Sequence, residues 1–279
     1  MKNTTLTLIL LITFLFSSLA NAEKLKVLTF NTWGVPISVW DTWRYEAAMR
    51  SIEALNPDIV ILDEVFSGKG KRNYRSDLYP YVADGPHALP KILSSGTRIL
   101  SKYPFDLHAT LAYHKCAASD CFSRKGSSFV TITLPSGKVV NVAGTHLDSG
   151  GTDDLRTDQL RQLKEFTDYY ADPAGPLLVV GDFNFGPASP SYQYIRNEFK
   201  LADSWTETHP AAEAGLTYDS YKNHYAHDYE IKTHDLMIVD RIDFMFHRGA
   251  IKPISTQVIF NEEDSLYSDH YGIMAEFEL

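Results

Sequence analysis

The sequence predicts a mixed α/β protein in which two β-sheets pack together and helices lie outside them. Short, nearly unbroken apolar runs recur along the chain, as strands buried on both faces require. Two longer stretches between them repeat apolar residues at the helical period instead. Each apolar run ends in a short polar loop, and no repeat, low-complexity tract or linker divides the chain. The composition agrees: 44% of the 279 residues are hydrophobic and 22% charged, which excludes wholesale disorder and fibrous repeats.

Residues 1–22 stand apart. Lys2 precedes an apolar stretch from Leu6 to Phe16, and Ala20-Asn21-Ala22 has the small-residue pattern of a cleavage site. This reads as a secretory signal peptide removed after Ala22, because the stretch falls short of the ~20 residues that span a bilayer. Residues 23–279 are then one folded domain, expected in the extracellular space or the periplasm.

Lys26 to Phe30 is predicted as a buried strand running into Asn31-Thr32-Trp33-Gly34. Trp43 to Leu55 is a helix, with apolar or aromatic residues at positions 45, 48, 49, 52 and 55. Asn56-Pro57 ends it, since the residue before proline avoids helical dihedrals. Asp58 to Leu62 is a second strand, ending in Asp63-Glu64. Further strands are Thr97 to Leu100, Phe129 to Leu134 and Val139 to Ala143, the last two joined as a hairpin through Pro135-Ser136-Gly137. Asp153 to Tyr170 is an amphipathic helix with Leu155, Leu160, Leu163 and Phe166 on one side. Leu177 to Val180 is a strand ending in Gly181-Asp182-Phe183-Asn184, and Ser191 to Phe199 a short helix. Ile242 to Phe246, Thr256 to Phe260 and Ile273 to Phe277 complete the strands. The polar, tyrosine-rich stretch with His224, His227 and His234 reads as a long loop and not as a metal site.

Charge and cysteine content narrow the function. The 26 Lys+Arg face 35 Asp+Glu, a net charge of −9, which argues against a duplex-binding protein with a globally basic surface but leaves room for a local basic cleft. Cys116 and Cys121 are the two cysteines; in an exported chain their loop can close as a disulfide, and otherwise it holds two reduced thiols. Two sulfurs without paired histidines nearby do not make a zinc site.

Chemically capable residues follow the strands: Asn31, Glu64, His146, Asp182 with Asn184, Asp243, and Asp269 with His270. Strand ends from one sheet converge on one rim, and oxygen donors of this kind suit a hard cation such as Mg²⁺. Each has a plainer reading alone. Glu64 can be a solvated loop residue, Asn31 and Asn184 turn residues, and Asp269 a turn cap. Asp243 can pair with Arg241, and His146 can be a satisfied core histidine.

Together they fall in recognisable strings: LTFNTWG (28–34), ILDEVF (61–66), AGTHLDS (143–149), VVGDFNFGP (179–187), DRIDFMF (240–246) and YSDHYG (267–272). In order and spacing these resemble the endonuclease/exonuclease/phosphatase superfamily of metal-dependent phosphoesterases. The resemblance covers essentially the whole chain after the leader and implies a four-layer αββα sandwich of two packed sheets flanked by helices. Within the superfamily the sequence is most similar to the neutral sphingomyelinases, through FNTWG, DEVF, THL and SDHY. The loop DCFSRKG (120–126) and Arg156-x-x-Gln159-Leu160 point the same way. Two places depart from the pattern. Asp63 stands where glutamine usually precedes the metal-binding glutamate. Residues 261–267 (NEEDSLY) are acidic where some secreted bacterial members carry an exposed aromatic hairpin that enters membranes.

The resemblance implies a secreted Mg²⁺-dependent phosphodiesterase of phospholipase C type, releasing phosphocholine and ceramide from sphingomyelin, with Mn²⁺ or Co²⁺ able to substitute. It assigns Glu64 to the metal directly, Asn31 to the metal or phosphate beside it, and Asp269 to the metal through a water. His270 is the general base for the attacking water, held by Asp243. Asp182 orients that water or binds a second metal. Asn184 donates to a phosphate oxygen and His146 stabilises the phosphate or the leaving oxygen, while Lys125 either touches the phosphate or is a solvated loop lysine. Trp33, Trp40 and Trp43 either cage a choline headgroup or pack within the protein. A monomer that touches the membrane surface transiently and weakly is expected. The alternatives are a secreted metal-dependent DNase-like endonuclease acting on nucleic acid and, from another class, a non-catalytic binding protein on the same fold. Retention of Glu64, Asp182, Asn184, Asp243 and His270 together argues against the latter.

Overall fold

A computed structural model describes residues 23–34, 42–233 and 236–279; the leader, Trp40 and His234 lie outside the described residues. The strands are β1 Lys24–Asn31, β2 Ile59–Asp63, β3 Tyr81–Asp84, β4 Arg98–Ser101, β5 Leu107–Ala112, β6 Gly126–Thr133 and β7 Val139–His146. They continue as β8 Leu177–Asp182, β9 Ala202–Asp203, β10 Tyr218–Asp219, β11 Val239–Asp240, β12 Asp243–Arg248, β13 Lys252–Ile259 and β14 Gly272–Glu278. The helices are α1 Thr42–Leu55, α2 Gly68–Asn73, α3 Asp153–Tyr170, α4 Pro190–Tyr194, α5 Ser204–Thr208 and α6 His224–Thr233. One six-stranded sheet has the order β13-β14-β1-β2-β4-β3 and the other β5-β6-β7-β8-β12-β9, with β10 and β11 as a separate pair. Among the described residues no helix is long and apolar enough to cross a membrane.

β1 shows why the layers form. Leu25 and Val27 join the core between the sheets, while Leu28 and Phe30 join the core beneath α1. Successive side chains of a strand point to opposite faces, so one apolar run feeds both. The predicted stripe of α1, Tyr45, Ala48, Met49 and Ile52, covers the outer face of the first sheet. Leu160 and Leu163 of α3 cover Val179, Phe244 and Phe246 on the second. The product is the four-layer αββα sandwich.

α3 has the bounds read from the sequence. Thr152 caps it by accepting from the Leu155 N–H, and Asp153 and Asp154 place negative charge in its first turn. The hairpin forms as expected, β6 pairing antiparallel with β7 from Ser127 opposite Thr145 to Thr133 opposite Val139. Cys116 and Cys121 are joined as a disulfide, with Cα atoms 5.1 Å apart.

Three expectations are corrected. The stretch read as a long loop is helical over His224–Thr233. Its buried positions are Ala226 and Glu230, and Asn223 accepts from the Tyr225 N–H at its start, so its inner side is too polar to show a period. The short helix from Ser191 splits into α4 and one π turn, Ile195–Phe199, which ends at Lys200 with φ 61°. Strands β3 and β5 escaped the sequence because both are largely half-exposed edges without an apolar run. Residues 261–267 form no projecting hairpin. They wind through a single 3₁₀ turn, Glu263–Ser265, and are pinned by buried Leu266 and by Tyr267, whose hydroxyl meets Ser51 Oγ at 2.8 Å.

Candidate active site

The alternation that fills the middle layer also aims the strand ends. Val27 and Thr29 lead to Asn31 on the inner face of β1, as Ile59 and Ile61 lead to Asp63 on β2. On the second sheet, Val140 and Val142 lead to His146, Leu178 and Val180 to Asp182, and Met245 back to Asp243. Register sets them side by side: Asn31 opposite Asp63, and Asp182 opposite both His146 and Asp243. All five are buried. β7 and β8 approach here around Gly181, φ 141°, where a Cβ would lie 1.9 Å from the Thr145 carbonyl oxygen.

The residues form one hydrogen-bonded group. Asn31 Nδ2 donates to Asp182 Oδ2 at 2.9 Å and to Glu64 Oε1 at 3.3 Å, bridging the two sheets. Glu64 lies beyond the end of β2; its left-handed backbone, φ 60°, turns the side chain back toward Asn31. Asn184 has φ 53°; its backbone N–H donates to Asp182 Oδ1 at 2.9 Å and its Nδ2 to the Leu147 carbonyl at 3.0 Å. Asp63 accepts from the Asp182 N–H at 3.1 Å and from Thr97 Oγ1 at 2.8 Å. His270 Nδ1 is 2.9 Å from Asp243 Oδ2, and its Nε2 is 3.8 Å from Asp182 Oδ2. The turn before His270 is fixed by Asn223 Nδ2, which donates to the Ser268 carbonyl at 2.8 Å, and Asp269 accepts from Ser268 Oγ at 3.0 Å.

Lys125 is no solvated loop lysine. It is buried, with Nζ at 2.8 Å from His146 Nε2, 2.8 Å from the Leu147 carbonyl and 3.1 Å from Asp120 Oδ1. His146 Nε2 therefore accepts, and its ring proton rests on Nδ1, which has no partner. Trp33 packs against Tyr225, with the buried Arg44 guanidinium 5.1 Å from its ring, whereas Trp43 is 57% exposed. His227 Nδ1 lies 3.2 Å from the Ser220 carbonyl. Asp120 and Tyr218, whose ring meets that of His270 at 5.1 Å, were passed over in the sequence. Asp120 had a signal, its place in the same loop string as Lys125.

Burial, reinforced by the charge of Asp269, pushes the Glu64 carboxyl up to about 7. Burial also raises Asp243, to about 6, and lifts Asp63 well above the ordinary carboxylate range. Burial favours protonation of Asp182 too, but His270, His146, Lys125 and the Asn31 amide outweigh it and hold Asp182 low. For His270 burial opposes the charged ring, and Asp243 and Asp182 overcome it, so the imidazolium is held far above its usual range. His146 goes the other way, to about 3, through burial and the charge of Lys125. It is neutral at any ordinary pH.

Asp182, Asp243 and His270 bring donor atoms within 4.8 Å of one another, but Asp243 and His270 are already bonded to each other, an arrangement suited to proton transfer. The better cation seat is at Glu64. Its Oε2 is buried without a partner and the charge of Asp269 acts on it, which fits a hard divalent ion bound through oxygen.

A protein-family model described as the Endonuclease/Exonuclease/phosphatase family matches residues 28–270. The chain is 24% identical to the inositol phosphosphingolipids phospholipase C of Schizosaccharomyces pombe, over 92% of this chain and 69% of that protein. It is 26% identical to sphingomyelin phosphodiesterase 2 of Homo sapiens, over 90% of this chain and 64% of that protein. It thus spans about two thirds of the length of these curated relatives. Among solved structures, beta toxin from Staphylococcus aureus with bound magnesium ions has a TM-score of 0.72 at 20% identity, covering 91% of this chain and 99% of that one. D. rerio TDP2 complexed with a single-strand DNA product has a TM-score of 0.74 at 19% identity, covering 92% and 99%. Both share the fold.

Proposed function

The chain belongs to the endonuclease/exonuclease/phosphatase family, and from that premise we propose that it is an exported sphingomyelin phosphodiesterase releasing ceramide and phosphocholine. The observation that carries this reading is one buried cluster holding both a histidine–aspartate pair, His270 with Asp243, and an unpartnered carboxylate oxygen on Glu64. The chemistry is metal-dependent hydrolysis of a phosphoric diester. A sphingolipid substrate is supported by the two curated relatives, both named for phosphosphingolipid cleavage.

Glu64 would hold the ion, with Asn31 beside it and Asp269 close enough to add its charge. We take the ion to be Mg²⁺, with Mn²⁺ or Co²⁺ as substitutes; when bound it neutralises the carboxylates and polarises a phosphate oxygen. Asp243 accepts from His270 Nδ1–H and so directs the Nε2 lone pair toward Asp182, where a water held by the carboxylate gives up its proton. The surrounding acids keep that ring charged, so His270 acts as a base once positive charge has been placed among them. On the opposite wall Lys125 supplies fixed positive charge for the phosphate, and neutral His146 positions it. Asn184 braces Asp182 through its N–H.

Export is supported by the Cys116–Cys121 bond, since disulfides persist in oxidising compartments. We place the enzyme in the extracellular space or the periplasm, as a monomer whose membrane contact is transient and weak. The folded-back segment 261–267 supports that last point. The test is to incubate the protein with Mg²⁺ and sphingomyelin, phosphatidylcholine or plasmid DNA. Phosphocholine release from sphingomyelin alone is expected. DNA nicking without lipid hydrolysis would replace this reading with the nuclease, and inertness toward all three would favour the binding protein.

A further inference from the structure

Leu89, Ile92 and Phe122 are 85%, 74% and 59% exposed, although leucine, isoleucine and phenylalanine are residues that folding normally buries. Topology puts all three on the catalytic rim. β4 runs antiparallel to β2, so the segment entering β4 starts beside the exit of β2 at Glu64, and the Val65 N–H donates to the Gly96 carbonyl at 2.9 Å. β6 runs antiparallel to β7, so the segment entering β6 starts beside His146.

These two loops are bonded into one platform. The N–H groups of Ile92 and Leu93 both donate to the Phe122 carbonyl, at 3.2 and 3.0 Å, and the Arg124 N–H donates to the Leu93 carbonyl at 3.0 Å. Arg124 Nη1 donates to the Leu89 carbonyl at 2.6 Å, and Lys91 Nζ to the Cys121 carbonyl at 2.9 Å. The apolar tips are therefore presented on a bonded base. The charge there also runs against the rest of the chain. Residues 85–95 and 113–126 carry Lys91, Lys115, Arg124 and Lys125 against a single acid, Asp120. Lys125 is buried on Asp120 and Lys115 lies 3.7 Å from Asp158, which leaves Lys91 and Arg124 as the basic groups beside the apolar tips of a protein of net charge −9. Apolar side chains beside basic ones are the composition of a surface that enters a lipid interface and meets phosphate headgroups.

We propose that this platform is where the protein seats on a phospholipid bilayer, with Leu89, Ile92 and Phe122 entering the interface and Lys91 and Arg124 meeting lipid phosphates. The same 3₁₀ turn that carries Phe122 carries Asp120, which pairs with Lys125 of the site, so a bilayer seated here lies next to it. The proposal rests on the reading of the substrate as a membrane lipid, and it moves the contact surface away from residues 261–267.

The test compares wild type with the triple variant Leu89→Ser, Ile92→Ser, Phe122→Ser on vesicles of equimolar phosphatidylcholine and sphingomyelin, by co-sedimentation. Loss of three interfacial side chains is expected to lower the partition coefficient at least ~10-fold. Turnover of detergent-dispersed sphingomyelin should be unchanged, because none of the three side chains belongs to the hydrogen-bonded cluster of the site. A second variant, Ile92→Trp, is expected to strengthen partitioning and, relative to wild type, to shift its emission to shorter wavelength on vesicles of phosphatidylcholine alone. Equal partitioning of wild type and triple variant would overturn the proposal. So would an Ile92→Trp emission indifferent to vesicles, or a platform that binds plasmid DNA and no vesicle. A wild type that partitions through this platform yet hydrolyses no sphingomyelin would sink the substrate reading and leave the platform standing.

Discussion

Replacing Glu64 with glutamine should stabilise the metal-free protein at high pH. Folding raises this carboxyl from 4.5 to about 7, so its contribution to stability is fully present below about 4.5 and is lost as pH rises through about 7. At ~1.36 kcal/mol per unit the loss amounts to about 3 kcal/mol. Glutamine keeps an oxygen for the Asn31 amide and carries no charge, so Glu64→Gln escapes that loss. For a domain of this size, ~3 kcal/mol corresponds to roughly 6–12 °C in Tm. The assay is thermal unfolding of both proteins in chelator, at about pH 4 and about pH 8.5, either side of the titration. The difference between them should widen toward the variant as pH rises. Buried acids that do not feel Glu64 titrate alike in both proteins, so the difference reports Glu64 together with Asp269 and His270, the groups its charge acts on. Adding Mg²⁺ at high pH should restore the wild type and leave the variant unmoved. Parallel pH profiles for the two proteins would refute the assignment of an uncompensated carboxylate at this position.

Three further expectations follow from the site and the core. His270→Ala should keep its circular dichroism and lose at least ~10²-fold in kcat on dispersed sphingomyelin, the usual scale for a general base; near wild-type turnover would remove His270 from that role. Lys125→Met should retain Mg²⁺ affinity by titration calorimetry and lose roughly 10²-fold in kcat/KM, since it deletes the charge facing the phosphate and not the cation seat. An unchanged kcat/KM would make that lysine structural only. Leu163→Ala, in the core beneath α3, should cost about 2–5 kcal/mol in urea unfolding with no change in kcat measured below the melting range; a cost under ~1 kcal/mol would mean that the layer repacks freely.

The strands were readable where both faces are buried, because Val27, Leu28, Ile61 and Val180 make runs that no exposed element carries. From such runs the positions of Asn31, Asp182 and Asp243 follow by alternation alone. β3 and β5 present mixed exposure, and α6 hides its buried side behind Ala226 and Glu230, so their patterns resemble loops. In the site, composition could not reveal that Glu64 and Asn184 take left-handed backbones, since that depends on how each strand exits its sheet. Nor could it reveal that Lys125 is enclosed. Its burial comes from Asp120, His146 and the Leu147 carbonyl, brought together by the pairing of β6 with β7.

The topology imposes a schedule on the protein's manufacture. β1 to β4 supply one sheet, β5 to β9 and β12 the other, and the chain then crosses back so that β13 and β14 complete the first. His270 immediately precedes β14, which closes against β1 from Thr29 opposite Ile273 to Lys24 opposite Glu278. His270 is therefore anchored only when β14 reaches β1, the strand farthest from it in sequence within the same sheet. A chain in which β14 has not yet paired lacks the completed cluster. On the proposed reading, activity then arises only after the first sheet has closed around the second, which makes folding itself the last step of activation.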